Sequence, residues 1–120
     1  MKRIRKRAPL GRRSKRGSGR KAHDRRPVRL TIAAEQDLLE AVDWYRKEAP
    51  HVVPRFRQRV REGLQRIGGN PLHFPAVHGE VRRALVQGFR QLILFRLLPD
   101  SIQIIAVLHS SRDPQVWQSR

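Results

Sequence analysis

Arginine and histidine carry the phosphate and acid–base chemistry open to this 120-residue chain. Arg82 and Arg83 stand side by side in the run VRRALV, Arg96 lies near the end of a second apolar run, and His109 and Arg112 follow a third. If these runs are neighbouring antiparallel strands, several of the five side chains reach one phosphate. Arginine grips phosphate in bidentate fashion and stabilises charge that develops in a transition state, while a histidine titrates near neutral pH and can move the proton. Such a set could cleave RNA with no metal. Arginines that pair with carboxylates or face water would leave the same pattern.

Other chemistries find no support. No paired Asp/Glu suggests a glycosidase, no Gly-rich turn follows the first strand to cradle a phosphate, and no HExxH-like spacing offers a metal site. The histidines His23, His51, His73, His78 and His109 are scattered through different segments, and the chain has no cysteine. That removes a disulfide framework, a thiolate metal site and a cysteine nucleophile. Neither a metal nor a cofactor is expected. No apolar run approaches the roughly 20 residues of a membrane span, so no membrane partner is expected and the cytoplasm is the expected compartment.

Hydrophobic spacing defines the scaffold for these side chains. Residues 28–32 alternate apolar and polar, as a short strand does. From Ala34 the apolar positions Leu38, Ala41, Val42, Tyr45 and Ala49 fall on one helical stripe, with Glu35, Asp37, Glu40 and Asp43 crowding the first turns, where they complement the positive end of the helix dipole. Pro50 stops this helix. A second helix is predicted over 53–67 from Val53, Phe56, Val60, Leu64 and Ile67, with Gly68, Gly69, Asn70 and Pro71 ending it. After a loop with Pro71, Phe74, Pro75 and Gly79, residues 80–86, 90–97 and 101–108 read as strands, the last two apolar enough to be buried on both faces. Their short joints favour antiparallel hairpins. The expected fold class is α+β: a strand, a two-helix hairpin, then a three-stranded antiparallel meander, with the helices packed on one face of the sheet.

The charge is uneven. The chain holds 27 Lys+Arg against 10 Asp+Glu, a formal net +17, and residues 1–27 hold thirteen of those bases with one acid, Asp24, a net +12. With so few large apolar residues this segment is expected to be a disordered basic tail that contacts nucleic acid or the ribosome without sequence choice. A start placed too far upstream would give the same composition, and in either case residues 28–120 are the domain. On the second helix Arg55, Arg57, Arg59, Arg61 and Arg66 face only Glu62, which suits a solvated face or an acidic partner.

Several stretches together resemble one family. They are EQDLLEAVDWY (35–45), PRF (54–56), NPLHFP (70–75), VRRALV (81–86), Phe89 and HSSRDPQVW (109–117). Their order and spacing are similar to the RelE/ParE superfamily of type II toxin-antitoxin toxins, and most similar to its plasmid stabilisation branch, which carries a comparable RRAL strand and H-x-x-R-D-P-x-x-W ending. The resemblance covers nearly all of 28–120 and none of the tail.

The resemblance implies a small toxin that arrests growth unless a cognate antitoxin neutralises it. RelE-like members of the superfamily cut mRNA in the ribosome with basic residues and a Tyr or His near the C-terminus, and ParE-like members poison DNA gyrase. The only tyrosine here, Tyr45, sits on the apolar stripe of the first helix, so His109 is the remaining acid–base candidate beside Arg82, Arg83, Arg96 and Arg112. A histidine at this point is also ordinary in the branch. The chain departs from its branch near 90–95, where a Phe-Pro-Tyr turn and a later Tyr are common and Phe89, Arg90, Gln91 and Phe95 stand instead. An antitoxin segment that folds on contact is expected to set its acids against Arg55, Arg59 and Arg66. The rival class is a basic nucleic-acid-binding module on a degenerate toxin fold.

Overall fold

The computed structural model describes residues 26–120, so the expectation about the tail lies outside the described residues except at Arg26 and Pro27. Strand β1 (Val28–Leu30) is followed by α1 (Ile32–Glu48), α2 (Val53–Gly69), β2 (Ala76–His78), β3 (Val81–Leu85), β4 (Gln91–Leu97), β5 (Ile102–His109) and a short α3 (Gln115–Gln118), with 3₁₀ turns at Pro50–Val52 and Pro71–His73. The sheet order is β1-β5-β4-β3-β2, with β1 parallel to β5 and the other pairs antiparallel. This is the expected α+β class, extended by β2 and α3. Among the described residues no helix is long and apolar enough to cross a membrane.

Local chemistry explains where the boundaries differ from expectation. β1 ends at Leu30 rather than Ile32 because the Thr31 hydroxyl accepts from the Ala34 N–H at 3.1 Å and caps α1. The two glycines that were expected to stop α2 lie inside it, and the cap is Asn70. Gly68 serves close packing: a Cβ there would stand 3.2 Å from Val28 Cγ2. Strand β2 falls in the expected loop. It has three exposed residues, no alternation to reveal it, and a tight turn to β3 through Gly79 at φ +55°.

The register of β4 and β5 slips once. Leu94 pairs with Ala106 but Phe95 pairs with Ile104, leaving Ile105 as the extra residue of a bulge. The slip changes which positions face the helices: Ile102, Ile104 and Val107 join the main core with Phe56, Ile67, Ile93 and Phe95, while Ile105, Ala106 and Leu108 face the other side with Val81 and Leu94. Trp117 and Val116 of α3 cover that second side. Both faces of β4 and β5 are therefore buried, as the apolar runs predicted. Tyr45 is half-buried and packs against the core, on Phe56 (4.9 Å between centroids) and Phe89 (5.4 Å), its hydroxyl donating to Gln91 Oε1 at 3.1 Å.

Beyond Ile104, strand β5 has no strand neighbour on the β1 side among the described residues, and side chains complete its edge. Asp37, buried at 7% exposure, accepts from the Val107 N–H at 3.1 Å. The Arg120 guanidinium donates to both Asp37 oxygens (2.6 and 3.2 Å) and to the Ile105 carbonyl (2.9 Å). The hydrogen bond to Asp37 raises the Arg120 pKa above its ordinary value. Asp37 was expected to serve the helix dipole, but it instead spans from α1 to the sheet.

Candidate functional site

The five basic candidates divide between the two faces of the sheet. Arg82 pairs with Phe95 and Arg83 with Leu94, so these neighbours point to opposite sides, as successive strand residues must. Arg82 is on the helix side, where Nη1 donates to the Phe74 carbonyl at 2.6 Å. It is a structural cross-link from β3 to the loop before β2, and the structure does not bring it to the others. Arg96 alternates with Phe95 onto the α3 side, opposite Gln103, but it does not line the cavity there. Its buried Nε has no partner among the described residues.

Arg83, His109 and Arg112 do come together. With Trp117 and the aliphatic side chains of Val77, Leu92, Leu94 and Leu108 they line a cavity of about 200 Å³ on the α3 side of the sheet. β3 positions Arg83, the end of β5 positions His109, and the turn after it, closed by the Arg112 N–H on the His109 carbonyl at 2.9 Å, positions Arg112. Trp117 forms the wall, set edge-to-face at 5.8 Å from His78. Asp113 is occupied elsewhere, accepting from the Gln115 N–H at 3.0 Å as α3 begins.

The His109 ring is held by Ser111. Nδ1 lies 3.1 Å from the Ser111 N–H and 2.8 Å from its hydroxyl. A backbone N–H can only donate, so Nδ1 is the acceptor and the neutral ring carries its proton on Nε2. In that form Nε2–H is a hydrogen-bond donor.

His109 and Arg112 also border a larger groove of about 720 Å³ on the helix side, between Asp37, Glu40 and Trp44 of α1 and the β3–β4 turn at Gly88–Arg90. Trp44, 58% exposed, was not singled out by sequence reasoning. It sits at helical spacing from the acids of α1, and a large aromatic among acids was the signal available.

The α2 arginines form a separate surface. Arg55, Arg59 and Arg66 share one side of α2 with Glu62. Arg59 pairs with Glu62 at 3.2 Å, and Arg66 donates to the Leu85 carbonyl at 3.4 Å and stands 5.9 Å from the Phe74 ring centroid.

A family model described as the ParE toxin of the type II toxin-antitoxin system parDE matches residues 28–114. Toxin ParE2 of Mycobacterium tuberculosis, in strains CDC 1551 / Oshkosh and ATCC 25618 / H37Rv, is 28% identical over 95 residues, covering 78% of this chain and 90% of that protein. Among solved structures, a chain of the chromosomal ParDE TA system from P. aeruginosa superposes with a TM-score of 0.64 at 19% identity, over 72% of this chain and 97% of its own.

Proposed function

The chain belongs to the ParE toxin family of type II toxin-antitoxin systems, and from that premise we propose that it arrests growth by gripping a protein target in the cytoplasm, DNA gyrase, rather than by cutting mRNA. Membership of the family implies an antitoxin partner that neutralises it.

The lining of the basic cavity, guanidiniums and a tryptophan over aliphatic side chains, carries this reading. RNA cleavage needs a group that accepts or delivers a proton within hydrogen-bond reach of the reacting oxygen. Among the described residues no carboxylate, phenol or lysine lines the basic cavity; Asp37, Glu40 and Tyr45 line the neighbouring groove that shares His109 and Arg112. What remains is a binding surface: two guanidiniums and an imidazole N–H above an aliphatic floor, beside a tryptophan. Arginine and tryptophan in a partly dry pocket are the residues that dominate protein–protein contacts.

The test is controlled expression with two readouts, transcript ends and the DNA damage response, beside a supercoiling assay with purified protein and gyrase. Growth arrest with intact transcripts and inhibited supercoiling is the expected result. Ribosome-dependent transcript cleavage that disappears in His109→Ala would replace this reading with the nuclease one. A soluble protein without either effect would favour the basic-module alternative.

A further inference from the structure

Strand β1 covers only the first part of β5. It pairs as far as Ile104, whose carbonyl accepts from the Thr31 N–H at 3.0 Å, and the chain then turns into α1. From Val107 to His109 that side of β5 borders the groove of about 720 Å³ instead of a strand. Backbone groups alternate in direction along a strand. Since the Ser110 N–H donates to the Arg90 carbonyl on the β4 side (2.9 Å), the groups of Val107 and His109 face the groove. Two of these four are occupied, the Val107 N–H by Asp37 and the His109 carbonyl by the Arg112 N–H. The Val107 carbonyl and the His109 N–H remain, with no hydrogen-bond partner among the described residues. We propose that this edge takes an extended segment of the toxin's protein target as an added strand. The proposal rests on the reading of the chain as a binder of such a target and supplies the mode of binding.

The two free groups fit one residue of a partner. In a parallel pair a residue donates to the carbonyl before its opposite number and accepts from the N–H after it, the relation that the register gives Arg29 with Gln103. A segment that continues the direction of β1 therefore sets one residue against Leu108 and bonds both groups. Main-chain bonds of this kind give affinity, and the walls that receive alternate side chains give specificity.

The walls define the chemistry of the occupant. Trp44, set edge-to-face on Tyr45 at 5.1 Å, offers an exposed aromatic surface to one apolar side chain. Arg90 and Arg112 are exposed, and neither is ion-paired among the described residues. With His109 they outnumber Glu40, the one exposed acid of the lining, since Asp37 is held by Arg120. A segment with a carboxylate near a large apolar residue is thus complementary. Continuity selects the target rather than the antitoxin. His109 and Arg112 line both this groove and the basic cavity, so one chain crossing the 109–112 turn fills both, whereas the antitoxin's acids are expected at Arg55, Arg59 and Arg66 of α2.

The experiment is hydrogen–deuterium exchange, resolved to single residues, on the full chain alone and in complex with purified gyrase. In the free protein the His109 amide should exchange fast and the Ser110 amide slowly, and on binding the His109 amide should slow at least about tenfold. Trp44→Ala should weaken inhibition of supercoiling at least about tenfold at unchanged melting temperature. Leu39→Ala, at an exposed position of α1 outside the groove, should leave inhibition as it was. A complex in which the His109 amide still exchanges freely overturns the added strand and leaves the gyrase reading standing. Absence of any complex with gyrase overturns both. A Trp44→Ala protein that inhibits gyrase fully but escapes the antitoxin encoded beside it gives the groove to the antitoxin and overturns the proposal as well.

Discussion

His109 shows how one neighbour decides what a residue can do. Its identity admits general acid, general base or plain donor, and with the Ser111 N–H on Nδ1 the neutral ring offers Nε2–H as a hydrogen-bond donor. His109→Gln, which offers an amide N–H in place of Nε2–H, should therefore keep most of the growth arrest, whereas loss of a proton-transfer group costs about 10²–10⁴-fold in rate. Arg83→Ala and Arg112→Ala remove exposed guanidiniums from the cavity, so they should weaken toxicity with little change in melting temperature. Growth curves and melting curves on the same three variants check this. The strand period of two already separates Arg82 from Arg83, so the grouping of all five basic residues was correctable from sequence. The pairing of Asp37 with Arg120 was not, because 83 positions part them and nothing in either local pattern marks the contact. Asp37→Ala leaves the Val107 N–H and Arg120 without their acceptor. The cost should be about 3–5 kcal/mol, the lower end applying because Arg120 retains 23% side-chain exposure. Asp37→Asn, which keeps an acceptor for Val107, should cost less in urea unfolding.

Among the elements, α2 was the most legible, because its buried residues recur at helical spacing and a single stripe faces the sheet. β2 was not, since an exposed three-residue strand has no hydrophobic pattern to read. The bulge in β5 was hidden by the very run of apolar residues that announced its burial on both faces, and it decides that Val107 and Ile105 belong to different cores. Gly68 reads as a terminator in the sequence, yet its contact with Val28 identifies packing, and Gly63, which no local pattern marks, packs as well. At Gly63 a Cβ would stand 3.0 Å from Cδ1 of the fully buried Ile93. Gly63→Ala gains up to about 1 kcal/mol of helix propensity, but crowding in a close-packed core costs about 1–3 kcal/mol. A net loss of stability is expected, and it should turn into a gain in the Ile93→Val background, where the colliding methyl is gone; a double-mutant cycle measures that coupling. The arginine flank beside Gly63, where Arg66 Nη2 would stand 3.6 Å from an added Cβ, bears on the antitoxin. We propose that Arg55, Arg59 and Arg66 meet its acids, and changing all three to Glu should weaken the complex strongly. Because Arg66 also ties α2 to Leu85, melting temperature must be followed beside affinity. Undiminished affinity in a folded triple variant would leave this flank a solvated surface.

For the whole molecule, the question is where the folded domain starts. Charge alone placed the boundary between Pro27 and Val28, since the basic residues thin out there. Backbone hydrogen bonding moves it earlier, because the Pro27 carbonyl accepts from the N–H of Ile102, a residue with no exposed surface at the head of the interior strand β5. A chain cut before Val28 puts an ammonium where that carbonyl stood, and an ammonium cannot accept the bond. A buried N–H left without an acceptor costs about 1–3 kcal/mol. A chain cut before Arg26 keeps the bond, and keeps the Arg26 contact with Pro99 as well. The shorter chain should thus melt below the full-length protein by about 4–8 °C per kcal/mol lost, and the chain starting at Arg26 should melt with it. Equal melting of all three would mean that water reaches the Ile102 N–H once the carbonyl is gone. A large loss already in the chain starting at Arg26 would show that residues 1–25 contribute to the fold as well as to charge.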